Sequence, residues 1–239
     1  TDLQIKKISC VVLKNMLALM LGCILVIILF VGAEMVFHIK KWVTAPECGE
    51  SLLSNFDDLV MPHPRYGFCA KPSFAIEECA KRGSLEVYSA TYNINQDSMR
   101  ITPFSTPEKR RCVSLFLGCS FTFGIGVENN ETLPALFAEN APDYFPVNAA
   151  FSGYGLQQVW LQAADKEFLD KLPYDTGVAI YTFIEHHVDR LIGTPAVLNG
   201  WNHPLPWLSE NNGKIEFCGT FSDRDPLQYF INRYCRRTH

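Results

Sequence analysis

The sequence predicts an α/β domain with a parallel β-sheet, preceded by one transmembrane helix. A long uncharged apolar run stands near the N-terminus, and short apolar strands alternate with helical segments after Pro107. A strand–helix–strand–helix–strand order is typical of a parallel sheet with right-handed crossovers. Each of the three predicted strands is followed directly by glycine or polar residues, which is where α/β proteins place their binding sites.

The N-terminal run carries no charged residue over Asn15–Ala33. Because about 20 apolar residues span a bilayer as a helix, we predict a membrane helix over residues 15–37. Three lysines precede it, so the positive-inside rule places residues 1–14 in the cytoplasm. A cleaved signal peptide is the alternative, although its apolar core is usually about 7–15 residues long. A buried core helix is a further alternative.

Composition excludes some classes of partner and leaves others open. The 239 residues carry a net charge of −4 and no block of Lys or Arg, so we predict no nucleic-acid partner. No Cys or His spacing is typical of zinc, and we predict no metal and no cofactor. Nine cysteines are present, and in an oxidising compartment Cys69 could pair with Cys79 and Cys218 with Cys235. The oligomeric state is left open.

Hydrophobic periodicity places the remaining elements. Residues 38–106 are predicted as a juxtamembrane connector and lead-in segment, and residues 107–239 as the α/β domain. The lead-in contains an amphipathic piece at Leu52–Leu59, a loop at His63–Phe68 and a strand at Leu85–Ile94. The α/β domain is predicted to contain strands at Cys112–Leu117, Val147–Phe151 and Val178–Ile184, helices at Thr132–Asn140, Leu156–Leu172 and Asp225–Arg236, and a hairpin turn at Asn212-Gly213.

Three segments at the ends of the predicted strands could carry chemistry. Ser120 follows Gly118-Cys119 on a sharp turn into a helix, where it is either a nucleophile or a helix N-cap. Gly153 follows the second strand, and its backbone N–H could point into the same site. His186 and His187 follow the third strand, either as proton-transfer groups or as a structural pair.

Together the three segments resemble the SGNH, or GDSL-like, hydrolase family. Gly118-Cys119-Ser120-Phe121-Thr122-Phe123-Gly124 is similar to block I, Gly-Asp-Ser-x-Thr-x-Gly. Gly153 stands at the glycine of block II, and His186-His187 stand where block III, Gly-x-Asn-Asp, falls. The upstream stretches from His63 to Phe68 and from Thr91 to Arg100 are similar to the lead-in of membrane-anchored bacterial members.

The resemblance implies a three-layer, flavodoxin-like parallel-sheet domain that hydrolyses esters or transfers acyl groups. Ser120 would be the nucleophile, and the N–H groups of Ser120 and Gly153 would hold the oxyanion. His186 would take the place of the block III asparagine as an oxyanion donor, with His187 in the place of the aspartate. The implied substrate is an acylated glycan or lipid of the cell envelope, and the implied location is the inner membrane with the domain facing the periplasm or the outside.

The chain departs from the family pattern in three places. Cys119 replaces the block I aspartate, and histidine replaces the block III asparagine. The family's base lies in a late Asp-x-x-His segment, and no Asp here is followed by such a His. We expect that the chain lacks the C-terminal part of its domain. The alternative is a catalytically inactive SGNH-like binding or scaffold protein, and a third possibility makes Cys119 a thiol nucleophile.

Overall fold

The computed structural model describes residues 20–29, 31, 32, 34, 52–104, 107–200 and 204–224. Its N-terminal unit contains one helix, α1, over residues 20–29 with 31, 32 and 34. No helix among the described residues is both long and apolar enough to cross a membrane. The predicted helix over residues 15–37 lies partly outside the described residues, and the predicted cytoplasmic segment 1–14 lies wholly outside them.

The second unit consists of strands β1–β10 and helices α2–α8. The strands are β1 (Leu52–Leu53), β2 (Val60–His63), β3 (Gly67–Ala70), β4 (Ala75–Arg82), β5 (Leu85–Asn93), β6 (Cys112–Leu117), β7 (Tyr144–Asn148), β8 (Gly177–Tyr181), β9 (Pro206–Asn211) and β10 (Lys214–Thr220). The helices are α2 (Ser120–Phe123), α3 (Leu133–Asn140), α4 (Leu156–Ala163), α5 (Lys166–Leu169), α6 (His186–Ile192), α7 (Pro195–Gly200) and α8 (Phe221–Arg224).

Strands β7, β6 and β8 form the predicted parallel sheet, with β6 in the centre. Leu115 lies opposite Val147 on one side and Ala179 on the other. Five of the six β6 residues are buried, as expected of a strand covered on both faces. The first three residues of β8 are exposed, so burial increases towards its carboxyl end.

Helices cover both faces of this sheet. On one face, alternate β6 side chains pack with Val159 of α4 and Phe168 of α5, and these β6 residues are Val113, Leu115 and Leu117. On the other face, Phe116 meets Phe137 of α3 edge to face, with ring centroids 5.4 Å apart. The alternation follows from the two-residue period of a strand. The fold is therefore a mixed α/β domain built on a parallel three-stranded sheet.

The lead-in strands pack onto this domain through an aromatic cluster. Strands β1, β4 and β5 form an antiparallel sheet, and β2 pairs with β3 in a hairpin. Phe68 of β3 and Tyr92 of β5 are buried with Phe123 and Phe151, which follow β6 and β7. Phe123 and Phe151 meet at 88°, with ring centroids 5.4 Å apart. This core holds the lead-in against the carboxyl ends of the parallel strands.

Several predicted bounds need correction. Strand β7 ends at Asn148, so most of the predicted strand Val147–Phe151 is the turn after it. The predicted helix Leu156–Leu172 is two helices, because Asp165 caps α5 through a hydrogen bond from Glu167 N. Leu52–Leu59 is a two-residue strand and a 3-10 turn, and the His63–Phe68 loop is the tip of the β2–β3 hairpin. The predicted helix Asp225–Arg236 lies outside the described residues.

The predicted disulfides are not formed among the described cysteines. Cys69 is buried in β3 and Cys79 lies in β4, and both are free thiols. The Cys69–Cys79 pairing was wrong: the Cys69 thiol is buried in β3, and the Cys79 thiol donates to Glu86 Oε2 at 3.5 Å. Cys218 is also free, and Cys235 lies outside the described residues.

Candidate active site

Ser120 is the first residue of α2, one turn after the central strand ends at Leu117. Gly118 makes this turn with a φ of +150°, and a Cβ added there would lie 2.5 Å from Thr122 Oγ1. No residue other than glycine fits this conformation and this space without displacement. The Gly-Cys-Ser segment therefore folds as predicted, with Ser120 presented at the carboxyl end of β6.

The Ser120 side chain is half-buried and lines an open cavity of about 440 Å³. Phe121, Ile125 and Leu133 contribute apolar walls, and Glu131 contributes a carboxylate. Within the described residues, the Ser120 hydroxyl has no hydrogen-bond partner. A serine hydroxyl left unpaired beside a cavity is available to a bound molecule.

Cys119 is fully buried and has extended backbone angles immediately before α2. Its carbonyl accepts from Phe123 N at 2.9 Å, which closes the first turn of the helix. A fully buried thiol is closed to a substrate in the adjacent cavity. The position therefore favours a packing role over the thiol-nucleophile alternative.

The turn after β7 lies directly beside the Ser120 turn. Phe151 N donates to Gly118 O at 3.3 Å, and the buried Asn148 side chain donates to Thr122 O at 3.2 Å. Gly153 is buried with a φ of +86°, as a left-handed glycine turn requires. The structure thus brings the first two predicted segments together at one edge of the sheet.

The third segment meets the first through Thr182 N, which donates to Leu117 O at 3.1 Å. Beyond it, His187 is fully buried, and its Nδ1 lies 2.5 Å from the Tyr181 hydroxyl. Burial, with help from nearby Arg190, lowers the pKa of His187 to about 4. A neutral, enclosed ring of this kind packs against Tyr181 and lies outside the lining of the Ser120 cavity.

His186 has the opposite environment. Its side chain is 75% exposed, and its Nδ1 lies 3.3 Å from Asp189 Oδ2 within the first turn of α6. Like His187, it is not among the residues that line the cavity around Ser120. The structure therefore brings the Ser120 turn and the Gly153 turn into contact, while Gly153, His186 and His187 are not among the residues that line the Ser120 cavity.

Arg100 is a component of this region that the sequence did not reveal. It is 2% exposed, and its guanidinium donates to the carbonyls of Phe123, Gly124 and Val127 at 2.6–2.8 Å. The same group stacks over the Tyr92 ring at 4.4 Å. Burial lowers the pKa of Arg100 to about 10, so it stays charged at neutral pH. Arg100 thereby fixes the loop that follows Ser120.

No group of three or more His, Cys, Asp or Glu side chains in the described part of the chain is arranged to hold a metal ion. Two histidines, His203 and His239, lie outside that part. The chemistry of the site that the structure does describe is that of a serine hydroxyl, backbone N–H groups and a carboxylate.

Comparison with protein-family models and with curated proteins identifies no relative of this chain. The chain matches no protein-family model, and no curated protein is significantly similar to it. The fold and the site define the chain as an α/β domain with a serine turn at the carboxyl end of its central parallel strand.

Proposed function

We propose that this protein is a serine esterase or acyltransferase of SGNH type, with a flavodoxin-like domain and Ser120 as its nucleophile. The observation that carries the proposal is the half-buried Ser120 hydroxyl, unpartnered among the described residues, on a glycine turn that opens onto a cavity. Nucleophilic serines need this kind of exposure together with a fixed backbone.

In the proposed reaction Ser120 Oγ attacks the acyl carbonyl carbon and its proton passes to a base. The carbonyl oxygen becomes an oxyanion, which the N–H groups of Ser120 and Gly153 would stabilise. An oxyanion-hole donor is typically worth about 3 kcal/mol in the transition state. The alcohol then leaves with a proton, and water or an acceptor hydroxyl takes the acyl group from Ser120.

The proposed substrate is an acylated glycan or lipid of the cell envelope, with the domain tethered at the inner membrane and facing the periplasm or the outside. The uncharged apolar run over Asn15–Ala33 supports the tether. A tethered domain would stay within reach of envelope polymers. Protease digestion of intact and permeabilised cells tests the orientation. The domain should be cleaved when the outer barrier alone is opened and the inner membrane is intact.

A fluorophosphonate probe tests the proposed nucleophile. Detergent-solubilised full-length protein should be labelled, and Ser120→Ala should abolish the labelling. Ser152→Ala is a matched control, because Ser152 is half-buried on the neighbouring turn. Absence of labelling in folded full-length protein would overturn the proposal.

A second candidate function is a non-catalytic binding or scaffold protein with the same fold. The specific observation in its favour is that neither His186 nor His187 lines the Ser120 cavity. A protein of this kind would bind acylated ligands without turning them over. It predicts that Ser120→Ala leaves ligand affinity unchanged and that the wild-type protein releases no acyl group.

A further inference from the structure

A second cavity of about 370 Å³ lies apart from the Ser120 cavity, and the two share no lining residue. Its volume falls within the roughly 300–1,000 Å³ of small-molecule sites. The lead-in segments around His63–Tyr66 and Gln96–Met99 form one side, and Gln162 and Asp165 belong to the other. The two lead-in segments, which have no role in the proposed acyl chemistry, therefore meet at this cavity.

Gln162 lines this cavity, and its buried amide has spare hydrogen-bonding capacity. The residue is 4% exposed, and its Nε2 donates to Ala149 O at 2.9 Å. Its Oε1 has no hydrogen-bond partner among the described residues. An unsatisfied buried acceptor is costly, so a donor supplied by a bound molecule would be favoured.

The charged side chains of the cavity are paired and sum to a formal charge of −1, from Arg65 and Lys171 against Asp97, Asp165 and Glu167. Arg65 lies 3.6 Å from Asp165, and Lys171 lies 3.8 Å from both Asp97 and Glu167. The lining thus presents hydrogen-bond donors and acceptors close together, without an excess of positive charge for an anion. Such a lining matches groups that donate and accept at once, as hydroxyls do.

The Tyr66 side of the cavity supplies further polar groups in fixed positions. The Tyr66 hydroxyl donates to Asp165 Oδ2 at 2.9 Å, and the His63 ring stacks on Tyr66 with centroids 4.4 Å apart. His63 Nδ1 accepts from the backbone N–H of Arg65 and Tyr66, so the neutral ring carries its proton on Nε2. The lining therefore holds its polar groups in place before a ligand arrives, which lowers the entropic cost of binding.

Apolar side chains complete the lining. Met99, Phe151 and Phe168 line the cavity and are at least nine-tenths buried. Ser98 lines it with a φ of +63°, in a turn held by Asn95 Oδ1, which accepts from Asp97 N and Met99 N at 2.9 Å. The cavity thus combines a preformed polar lining with an apolar portion.

We propose that this cavity is a binding site for a neutral, polyhydroxylated ligand, namely a sugar residue. Hydroxyl groups would donate to Gln162 Oε1 and Asp165 and accept from Arg65, Lys171 and His63, while the C–H faces would contact the apolar lining. The site is separate from Ser120, so binding does not depend on the proposed acyl chemistry.

Ligand-observed saturation-transfer NMR on the detergent-solubilised full-length protein tests the proposal. Glucose and N-acetylglucosamine are the neutral probes, and glucose 6-phosphate and glucosamine are their charged counterparts. The neutral sugars should receive saturation more strongly than the charged ones. Tighter binding of maltotetraose than of glucose would identify a polymer chain as the source of the sugar, and equal binding would identify a free sugar.

Gln162→Met should weaken sugar binding about tenfold, the effect expected from one lost hydrogen bond. Gln157→Met is the matched control: Gln157 is fully buried on the same helix, its Nε2 also donates to a backbone carbonyl, and its Oε1 is also unpartnered in the described residues. It does not line this cavity and should bind as wild type does. Ser120→Ala should also bind normally.

The proposal is overturned if no neutral sugar binds, if only the charged probes bind, or if Gln162→Met and Gln157→Met behave alike. Circular dichroism shows whether both variants are folded, and the comparison is made only if each retains the wild-type spectrum. Should Gln162→Met unfold, Lys171→Met offers a second variant at a partly exposed lining position. Unchanged sugar affinity in Lys171→Met would then count against the site.

Discussion

The Tyr181 hydroxyl lies 2.5 Å from Nδ1 of His187, and the two rings stack at 17° with centroids 5.4 Å apart. This contact turns the second histidine of the third segment inward, beneath the carboxyl end of β8. Burial also raises the pKa of Tyr181 to about 12, so the pair is neutral at physiological pH. Neither Tyr181 nor His187 lines the cavity at Ser120.

Acid should destabilise the fold through His187. Its folded-state pKa of about 4 lies below the ordinary value of 6.5, so the unfolded state takes up a proton first as the pH falls. Stability is then fully present above about pH 6.5 and falls towards about pH 4. The loss is as much as about 3 kcal/mol, at about 1.4 kcal/mol per pH unit. Urea unfolding across this range measures it.

His187→Gln should flatten this pH dependence, because the titrating group is gone. His186→Gln removes an exposed histidine from the same helix turn and should leave most of the dependence in place. An equally steep loss of stability in His187→Gln would show that another group causes it.

Replacing Arg100 should loosen the loop behind Ser120. Arg100→Met removes the charged donor from the carbonyls of Phe123, Gly124 and Val127. Phe123 O keeps a hydrogen bond from Asn148 at 3.3 Å, and Gly124 O keeps one from Val127 N at 3.5 Å. We expect the free energy of unfolding to fall by about 3 kcal/mol or more, because three hydrogen bonds to a charged group are lost, at about 1.5–3 kcal/mol each. Arg100→Lys should not restore the lost stability, since an ammonium group cannot reproduce the planar, forked hydrogen bonding of a guanidinium.

Denaturant unfolding and the rate of fluorophosphonate labelling check the Arg100 prediction together. Arg111→Met is the control, because Arg111 is exposed and its loss should change stability by no more than about 0.5 kcal/mol. Full stability in Arg100→Lys would mean that charge alone, rather than geometry, holds the loop.

Gly118→Ala should distort the serine turn. The φ of +150° alone costs a side chain about 1–3 kcal/mol, and the new Cβ would overlap Thr122 Oγ1. Both stability and Ser120 labelling should fall. Gly213→Ala also places a side chain at positive φ, but no atom lies within 4 Å of its Cβ, so it should lose less stability and keep its labelling. Equal labelling in the two variants would contradict the steric account.

Tyr92 links the lead-in sheet to the loop after Ser120. Its hydroxyl accepts from Gly126 N at 2.8 Å and donates to the buried carboxylate of Glu78. Tyr92→Phe should cost about 1–3 kcal/mol, because the buried Glu78 and the half-buried Gly126 each lose a hydrogen bond. Tyr88→Phe removes only a donor to Glu78 and should cost less in the same thermal or urea denaturation. The reverse order of the two losses would count against this link.

The parallel sheet was predictable because local pattern and burial agree there. Cys112–Leu117 is a short, largely apolar run, and its predicted and observed bounds as a strand coincide. The hairpin turn at Asn212-Gly213 is also present as predicted. The break between α4 and α5 was not predictable, since the apolar spacing continues across it. Asp165 breaks the helix there and accepts from Tyr66, which is 99 residues away in sequence. The spacing of apolar residues along the sequence does not indicate such a long-range contact.

Among the lead-in strands, β5 was predicted at Leu85–Ile94, whereas β4 was missed for a related reason. Glu78 in β4 is buried with Ile76 and Ala80 nearby, and its carboxylate is paired by two tyrosines from β5. A charged residue at an inward position hides the alternation that marks a strand. In the site, Ser120 was found from its glycine turn. Arg100 was missed because a single arginine in a loop carries no local signal of the carbonyls it will meet.

The identity of the acylated residue tests the central claim most directly. Full-length protein would be incubated briefly with p-nitrophenyl acetate, quenched in acid, digested and sequenced by mass spectrometry. The account predicts one acetyl group on Ser120, absent from Ser120→Ala and present in Ser152→Ala. Acetyl on Cys119 or Ser152 with Ser120 unmodified, or an unmodified chain from folded protein, would contradict Ser120 as the nucleophile.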